Sequence, residues 1–218
     1  MKKIKTRLRH ILNKKRIIIA STVIVAIVIF GYALKTGIVV INIRKTPFKD
    51  PTSGKSITRE EFNNKTANDL YKDAVEFNKK GNYGDASDFL NEAIKRDNND
   101  TNISVMHELA VSNYNLKKYD DAIAAYQKII AVSPDSASVY NEIGNVYRDK
   151  GERKTAEDSY KKAIGIDSGY ILAYNNLAMM FVQDNDLNAA KKIIQDGLAV
   201  NKDSAELQRI LKSLEQAN

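Results

Sequence analysis

The sequence feature that most constrains the fold is a pattern that repeats about every 34 residues. Ala86, Ala122, Ala156 and Ala190 recur at separations of 36, 34 and 34 residues. A small residue stands twelve positions before each of these alanines, and large apolar residues stand four and eight positions after it. Self-similarity at a period of this length is typical of solenoids, in which similar units stack in a row. The chain from residue 67 to residue 204 is therefore predicted to form four stacked units.

Within each unit the apolar residues follow a helical spacing. They recur at i, i+3, i+4 and i+7 over two stretches of about thirteen residues, which a short turn separates. Gly81, Gly151 and Asn185 occupy that turn, where a chain that leaves a helix adopts a left-handed backbone. Lys117 stands there in the second unit and departs from this preference. Each unit is therefore predicted to be a helix hairpin.

Small residues explain how the helices of one hairpin pack closely. Gly144 and Ala156 in the third unit, like their counterparts in the others, allow close approach, and larger residues fill the space between hairpins. The last hairpin would still expose an apolar face. Residues 204–217 can cover it with one amphipathic helix, which carries Leu207 and Leu214 on a single side. This helix is predicted to cap the array.

These residues resemble the tetratricopeptide repeat family. The third unit matches the family pattern with Tyr140, Ile143, Gly144, Tyr147, Ala156 and Tyr160. The second unit departs from it, since Asn113 stands where the family has Tyr. The resemblance implies an all-α, right-handed solenoid of four helix hairpins with a C-terminal capping helix at 204–217. The hairpins are expected at residues 67–102, 103–136, 137–170 and 171–204.

The first 45 residues differ in charge from the rest of the chain. They hold eleven of the 34 basic residues and no acidic residue, which leaves 23 basic against 27 acidic side chains elsewhere. The net charge of +7 therefore belongs to one end and does not indicate a nucleic-acid-binding face. The chain has no Cys and two His, so it offers no thiolate or imidazole cluster. We expect no nucleic acid partner, no metal, no cofactor and no enzymatic activity.

An uncharged apolar run at residues 17–34 follows eight basic residues in positions 1–16. Eighteen residues of helix rise about 27 Å, close to the roughly 30 Å of a bilayer's hydrocarbon core. A cleaved secretory signal is the competing interpretation, although the apolar region of such signals usually has about 7 to 15 residues. Because the basic residues precede the run, we expect an N-terminal transmembrane helix in a bacterial cell membrane. The N-terminus would then be cytoplasmic and the repeat domain extracytoplasmic.

Residues 35–66 are predicted to be a juxtamembrane linker, because two of the three prolines fall there. Their short β-branched run at 37–43 would either lie at the membrane interface or form a strand. Thr58 and Glu61 have the spacing of a capping box, which indicates a short helix through Phe62.

The family resemblance also implies a peptide-binding groove, lined by the first helix of each unit. Transferred to this sequence, the inward-facing positions are Tyr71, Val75, Asn78, His107, Val111, Tyr114, Asn141, Asn145, Arg148, Asn175, Met179 and Val182. The basic pairs with which family members hold a terminal carboxylate are missing, so we expect an internal, partly hydrophobic ligand segment. Asn141 and Asn145 are expected to offer their amides to the backbone of that segment.

The expected function is a membrane-anchored scaffold that binds a partner protein or an extended peptide in this groove. The alternative is a fixed structural or assembly subunit of an envelope or secretion complex. Reversible binding of a peptide would favour the scaffold, and co-purification at a fixed stoichiometry would favour the structural subunit.

Overall fold

The part of the chain that the computed structural model describes, residues 48–98 and 101–216, is predominantly helical. Within these ranges it forms ten α-helices, and the only β pairing is an isolated antiparallel bridge between Lys49 and Ser56. The all-helical repeat architecture predicted from the sequence is confirmed there. The helices are α1 (Arg59–Asn64), α2 (Ala67–Lys79), α3 (Tyr83–Asp97), α4 (Ile103–Asn115), α5 (Tyr119–Val132), α6 (Ala137–Lys150), α7 (Arg153–Ile166), α8 (Ile171–Gln183), α9 (Leu187–Val200) and α10 (Ala205–Gln216).

Helices α2 to α9 form four successive pairs that stack on one another. The two helices of each pair pack together, and each pair contacts the next through α3 with α4, α5 with α6, and α7 with α8. The first helices of neighbouring pairs also touch, α2 with α4 and α6 with α8. Helices α2, α4, α6 and α8 therefore form one side of the array, which we call the inner face. The side formed by α3, α5, α7 and α9 is the outer face.

Close packing within a pair depends on small residues at the helix crossing. Gly144 on α6 lies against the ring of Tyr160 on α7, and a Cβ placed on Gly144 would come within 2.5 Å of Cε1 of that ring. Ala156 on α7 is fully buried, as is Ala86 on α3. The predicted close approach of the two helices is therefore confirmed.

The turn within each pair contains one residue with a left-handed backbone. Gly81 and Gly151 adopt φ values of +74° and +90°, and Asn185 adopts +60°. Lys117 takes the same conformation in the second pair, with φ +59°. The turn geometry is thus conserved among the four pairs even where the residue type does not favour it.

The C-terminal helix α10 covers the last pair, as predicted. Its Leu207 is fully buried and Leu214 is 6% exposed. Both pack in one apolar cluster with Tyr174 of α8 and Ile194 of α9. Gly197 allows this contact, since a Cβ there would lie 3.0 Å from Leu207 Cδ1.

Residues 48–66, predicted to belong to a linker, are instead folded against the first pair. The ring of Phe48 stacks on that of Phe62, with 3.7 Å between ring centroids. Both rings also meet the ring of Phe89 on α3 edge-on. The linker prediction followed the prolines, one of which, Pro51, is buried in this structure.

Helix α1 is fixed at both of its ends. At the start, Thr58 and Glu61 form the predicted capping box, each side chain accepting a hydrogen bond from the other residue's backbone N–H. At the end, the guanidinium of Arg96 on α3 donates to the backbone carbonyl oxygens of Phe62 and Lys65. The same guanidinium lies 5.3 Å from the centroid of the Phe62 ring. These contacts make α1 an N-terminal cap of the array.

The predicted single-pass membrane location is contradicted. None of the helices in residues 48–98 and 101–216 is long and apolar enough to cross a membrane. The longest, α3, has 15 residues and carries charged side chains, whereas a membrane span needs about 20 predominantly apolar residues. The predicted span at 17–34 and the apolar run at 37–43 lie outside the described residues.

Candidate protein-binding face

The predicted groove residues occupy the four first helices, three on each, at the spacing i, i+4, i+7. This spacing puts the three residues of each helix on one side of it. Their exposure differs widely, however. His107, Met179 and Val182 are exposed, Asn141 is buried, and the others are partly buried.

Exposed apolar side chains concentrate on α8. Leu172, Met179 and Val182 are 49%, 51% and 36% exposed, and they are half of the six large hydrophobic residues exposed among the described residues. Their spacing places them on one side of α8, which we call the α8 stripe. Leu172 was missing from the predicted site, although it stands ten positions before Val182 and belongs to the same helical face.

A chain of hydrogen bonds occupies the inner face beside the α8 stripe. The Tyr114 hydroxyl on α4 donates to Asp149 Oδ2 on α6, and Arg148 Nε donates to Asp149 Oδ1 at 2.9 Å. Arg148 Nη1 and the Tyr160 hydroxyl both donate to Asn145 Oδ1, at 3.3 and 2.9 Å. The Asn145 carboxamide oxygen therefore already has two donors, which the sequence did not indicate.

Burial sets the protonation states in this chain of bonds. Burial, followed by the hydrogen bond to Asp149, raises the pKa of Tyr114 to about 12. Burial also raises the pKa of Tyr160 to about 12. Burial alone would raise the pKa of Asp149, but the hydrogen bonds from Tyr114 and Arg148 outweigh it and hold that pKa below its ordinary value. At neutral pH both phenols are therefore protonated and Asp149 is ionised.

Two asparagines predicted to face a ligand connect neighbouring first helices instead. Asn141 is 2% exposed, and its Oδ1 accepts a hydrogen bond from Asn176 Nδ2 on α8 at 2.8 Å. Asn78 Nδ2 donates to Glu108 Oε2 at 2.7 Å, and its Oδ1 accepts from the Ser112 hydroxyl at 2.8 Å. The expectation that Asn141 offers its amide to a peptide is therefore wrong, because the side chain is buried between α6 and α8.

Beside His107 the inner face opens into a cleft of about 330 Å³. Tyr71, His107, Glu108 and Ser138 are among the residues that line it, at the junction of α2, α4 and α6. The His107 ring lies 6.1 Å from the ring of Tyr126, edge-on. The volume lies at the lower end of the range of about 300 to 1,000 Å³ that is typical of ligand-binding clefts.

Comparison with known protein families places repeats in the middle of the chain. Residues 112–151 match the family model described as TPR repeat, and residues 137–170 match the model described as tetratricopeptide repeat. Residues 112–170 therefore match tetratricopeptide repeats. Proteins built from these repeats mediate protein–protein interactions.

The chain is similar to known proteins over part of its length. The uncharacterized protein ycf37 of Pyropia yezoensis is 30% identical over 86 residues, which cover 39% of this chain and 46% of that protein. Tetratricopeptide repeat protein 1 of Schizosaccharomyces pombe is 31% identical over 113 residues, covering 50% of this chain and 11% of that protein. The chain thus spans less than half the length of these relatives. The crystal structure of MamA aligns with a TM-score of 0.58 and 25% identity, covering 68% of this chain and 84% of that one.

Proposed function

We propose that the chain binds an extended segment of a partner protein along the inner face of α2, α4, α6 and α8. The observation that supports this best is the α8 stripe, where Leu172, Met179 and Val182 are exposed on one side of the helix. Contiguous exposed apolar side chains mark interaction sites in soluble domains, because a partner removes them from water. Proteins built from this repeat mediate protein–protein interactions, which supports the same function.

The proposed segment is internal to its protein and partly apolar. Arg148 is the only basic residue among the predicted inward-facing positions, and its guanidinium is already bonded to Asp149. It is therefore poorly placed to hold a terminal carboxylate as well. Apolar side chains of the segment would pack on the α8 stripe, while its polar groups would meet the hydrogen-bonded side chains of α6.

Site-specific crosslinking tests this proposal. In one variant, a photoreactive benzoylphenylalanine replaces Met179 in the α8 stripe. In a second variant it replaces Lys161, an exposed residue of α7 on the outer face. The partner should crosslink from position 179 and not from position 161. Equal crosslinking from both positions would contradict an inner-face site.

Once the partner is known, its affinity is measured for a double variant of the α8 stripe. Met179→Lys with Val182→Lys should weaken binding by about 1.5 to 3 kcal/mol, because full burial of one such side chain contributes about 1.5 to 3 kcal/mol and these two are only 51% and 36% exposed before binding. Both residues are exposed, so the fold should be unaffected. Lys161→Ala serves as the control and should bind with unchanged affinity. Unchanged affinity of the double variant would place the partner elsewhere.

A further inference from the structure

The junction between the first and second pairs lacks aromatic residues that are present at the next two junctions. The first helices of the third and fourth pairs each carry two aromatic residues, seven positions apart: Tyr140 and Tyr147, then Tyr174 and Phe181. Tyr147 and Phe181 pack against apolar clusters that include the second helix of the preceding pair. On α4 the same two positions hold Met106 and Asn113.

A cleft of about 360 Å³ lies at this junction, on the outer face between α3 and α5. Met106, Leu109 and Asn113 form its floor, since they follow one another at i, i+3 and i+7 on α4. Ser87 of α3 and Ala125 of α5 are small side chains in its walls. The cleft therefore stands where the neighbouring junctions are filled by aromatic rings.

The floor of the cleft combines apolar surface with buried polar groups. Met106 and Leu109, which are 1% and 8% exposed, line the cleft as mostly buried apolar side chains. Asn113 is 6% exposed, and its Oδ1 accepts a hydrogen bond from the buried Ser87 hydroxyl at 3.3 Å. A methionine sulfur and aliphatic side chains favour contact with a ring, while a carboxamide and a hydroxyl can bond a phenolic O–H.

The mouth of the cleft is polar and open to the surface between two helices. Lys118, which immediately precedes α5, stands there with Asp121 and Lys128 of α5, and Asn91 of α3 lies opposite. A polypeptide can continue past such a mouth while one of its side chains enters.

We propose that this outer cleft binds a tyrosine side chain of a partner protein. The ring takes the place that aromatic side chains of the chain itself occupy at the following junctions. The phenolic hydroxyl reaches Asn113 and Ser87. This site is separate from the inner face and does not depend on what binds there.

Methionine methyl NMR on the full chain tests the proposal. The chain has four Met residues, of which Met106 lies in the floor of the cleft and Met179 in the α8 stripe. The probe is the blocked tripeptide Glu-Tyr-Ala, and the matched control is Glu-Ala-Ala. The tyrosine peptide should shift the Met106 signal saturably and leave the Met179 signal unmoved, and the alanine peptide should shift neither. A Met106 signal that the tyrosine peptide leaves unmoved would overturn the proposal.

Filling the cleft with a ring provides the second test. Asn113→Tyr gives α4 the tyrosine that α6 carries at the equivalent position, Tyr147. The new ring should fill the cleft, so saturable binding of the tyrosine peptide should be lost. Asn115→Tyr adds the same ring at an exposed position of the same helix, and binding should persist. Ser87→Phe closes the cleft from α3 and should abolish binding as well, which covers the case in which Asn113→Tyr does not fold. Retained binding in a folded cleft-filled variant would overturn the proposal.

A third experiment distinguishes a polypeptide ligand from a free phenol. p-Cresol carries the same ring and hydroxyl without a peptide backbone. A shift of the Met106 signal by both p-cresol and the tyrosine peptide supports the proposal. A shift by p-cresol alone would overturn the assignment to a partner protein, because the cleft would then exclude a continuing chain.

Discussion

At the scale of single residues, Lys117 holds a left-handed turn without glycine. Its φ of +59° is a conformation that is strained by roughly 1 to 2 kcal/mol for a residue with a Cβ. Lys117→Gly removes that strain. It also gives the unfolded chain more conformational freedom, which reduces the gain in stability by about 0.4 to 1 kcal/mol. The free energy of unfolding, measured with urea, should therefore rise by about 0.5 to 1 kcal/mol.

The reverse change at the equivalent turn is the matched control. Gly151 has a φ of +90°, and no heavy atom lies within 4 Å of a Cβ placed on it. Gly151→Ala should therefore lower the free energy of unfolding by about 1 kcal/mol through backbone strain alone. A Lys117→Gly variant less stable than the parent would show that the Lys117 side chain contributes contacts that outweigh the strain.

Asn141 is expected to support the fold and not to hold a ligand. Its side chain is buried and accepts a hydrogen bond from Asn176 on the next first helix. Asn141→Ala should lower the free energy of unfolding by about 1 to 3 kcal/mol, since it leaves the Asn176 amide without that acceptor. Asn175→Ala removes a comparable but exposed hydrogen bond to Glu206 and should cost less than about 1 kcal/mol. Equal losses in urea unfolding would contradict the role assigned to burial.

Ionisation of Tyr114 should destabilise the inner face at alkaline pH. Its pKa is raised from 10.0 to about 12 in the folded chain. Stability contributed by the protonated phenol is therefore complete below pH 10 and is lost as the pH rises towards 12. The variant Tyr114→Phe has no such group, so its urea stability should fall less steeply than that of the parent between about pH 10 and pH 12. Parallel slopes would indicate that Tyr114 ionises equally easily in the folded and unfolded chains.

At the scale of helices, the repeated spacing of apolar residues was sufficient to predict α2 to α10. Each pair shows the same i, i+3, i+4, i+7 pattern, and burial follows it. The fold of residues 48–57 could not be predicted in this way, because Phe48 and Pro51 act through contacts with distant residues and not through any period. Asn141 shows the same limit within the site. An asparagine at this position has the same spacing in the sequence whether its amide contacts a ligand or a neighbouring Asn.

Helix α10 is expected to stabilise the last pair through one buried leucine. Leu207 is fully buried against Gly197 and Tyr174. Leu207→Ala should lower the free energy of unfolding by about 2 to 5 kcal/mol, the usual range for a leucine lost from a packed core. Lys212→Ala changes an exposed residue of the same helix and should have little effect. A small effect of Leu207→Ala would mean that α10 does not act as a cap.

At the scale of the whole molecule, both ends of the repeat array are closed by helices that are not part of a pair. Helix α10 covers α8 and α9, and α1 with Phe48 covers α3. Stacked repeats need such caps, because each pair buries its apolar face only against a neighbour. The folded unit therefore includes the segment that precedes α1, which the sequence had assigned to a linker.

This closure can be tested by comparing two shortened chains. Residues 48–218 retain the stack of Phe48 on Phe62 and the hydrogen bond from Lys80 Nζ to the Pro51 carbonyl oxygen, and residues 58–218 lose both. Both should be helical, because the four pairs and α10 are intact. The shorter chain should be less stable by about 2 to 4 kcal/mol, since loss of a packed phenylalanine side chain usually costs about 3 to 5 kcal/mol and Phe48 is only partly buried.

The variant Phe48→Ala within residues 48–218 separates the ring from the rest of the segment. If the ring carries the effect, this variant should unfold at nearly the same urea concentration as residues 58–218. Thr52→Ala, at an exposed position of the same segment, should unfold with the parent. Equal stability of residues 48–218 and 58–218 would show that the array is closed by α1 alone, with Phe62 and Arg96 sufficient to cover α3.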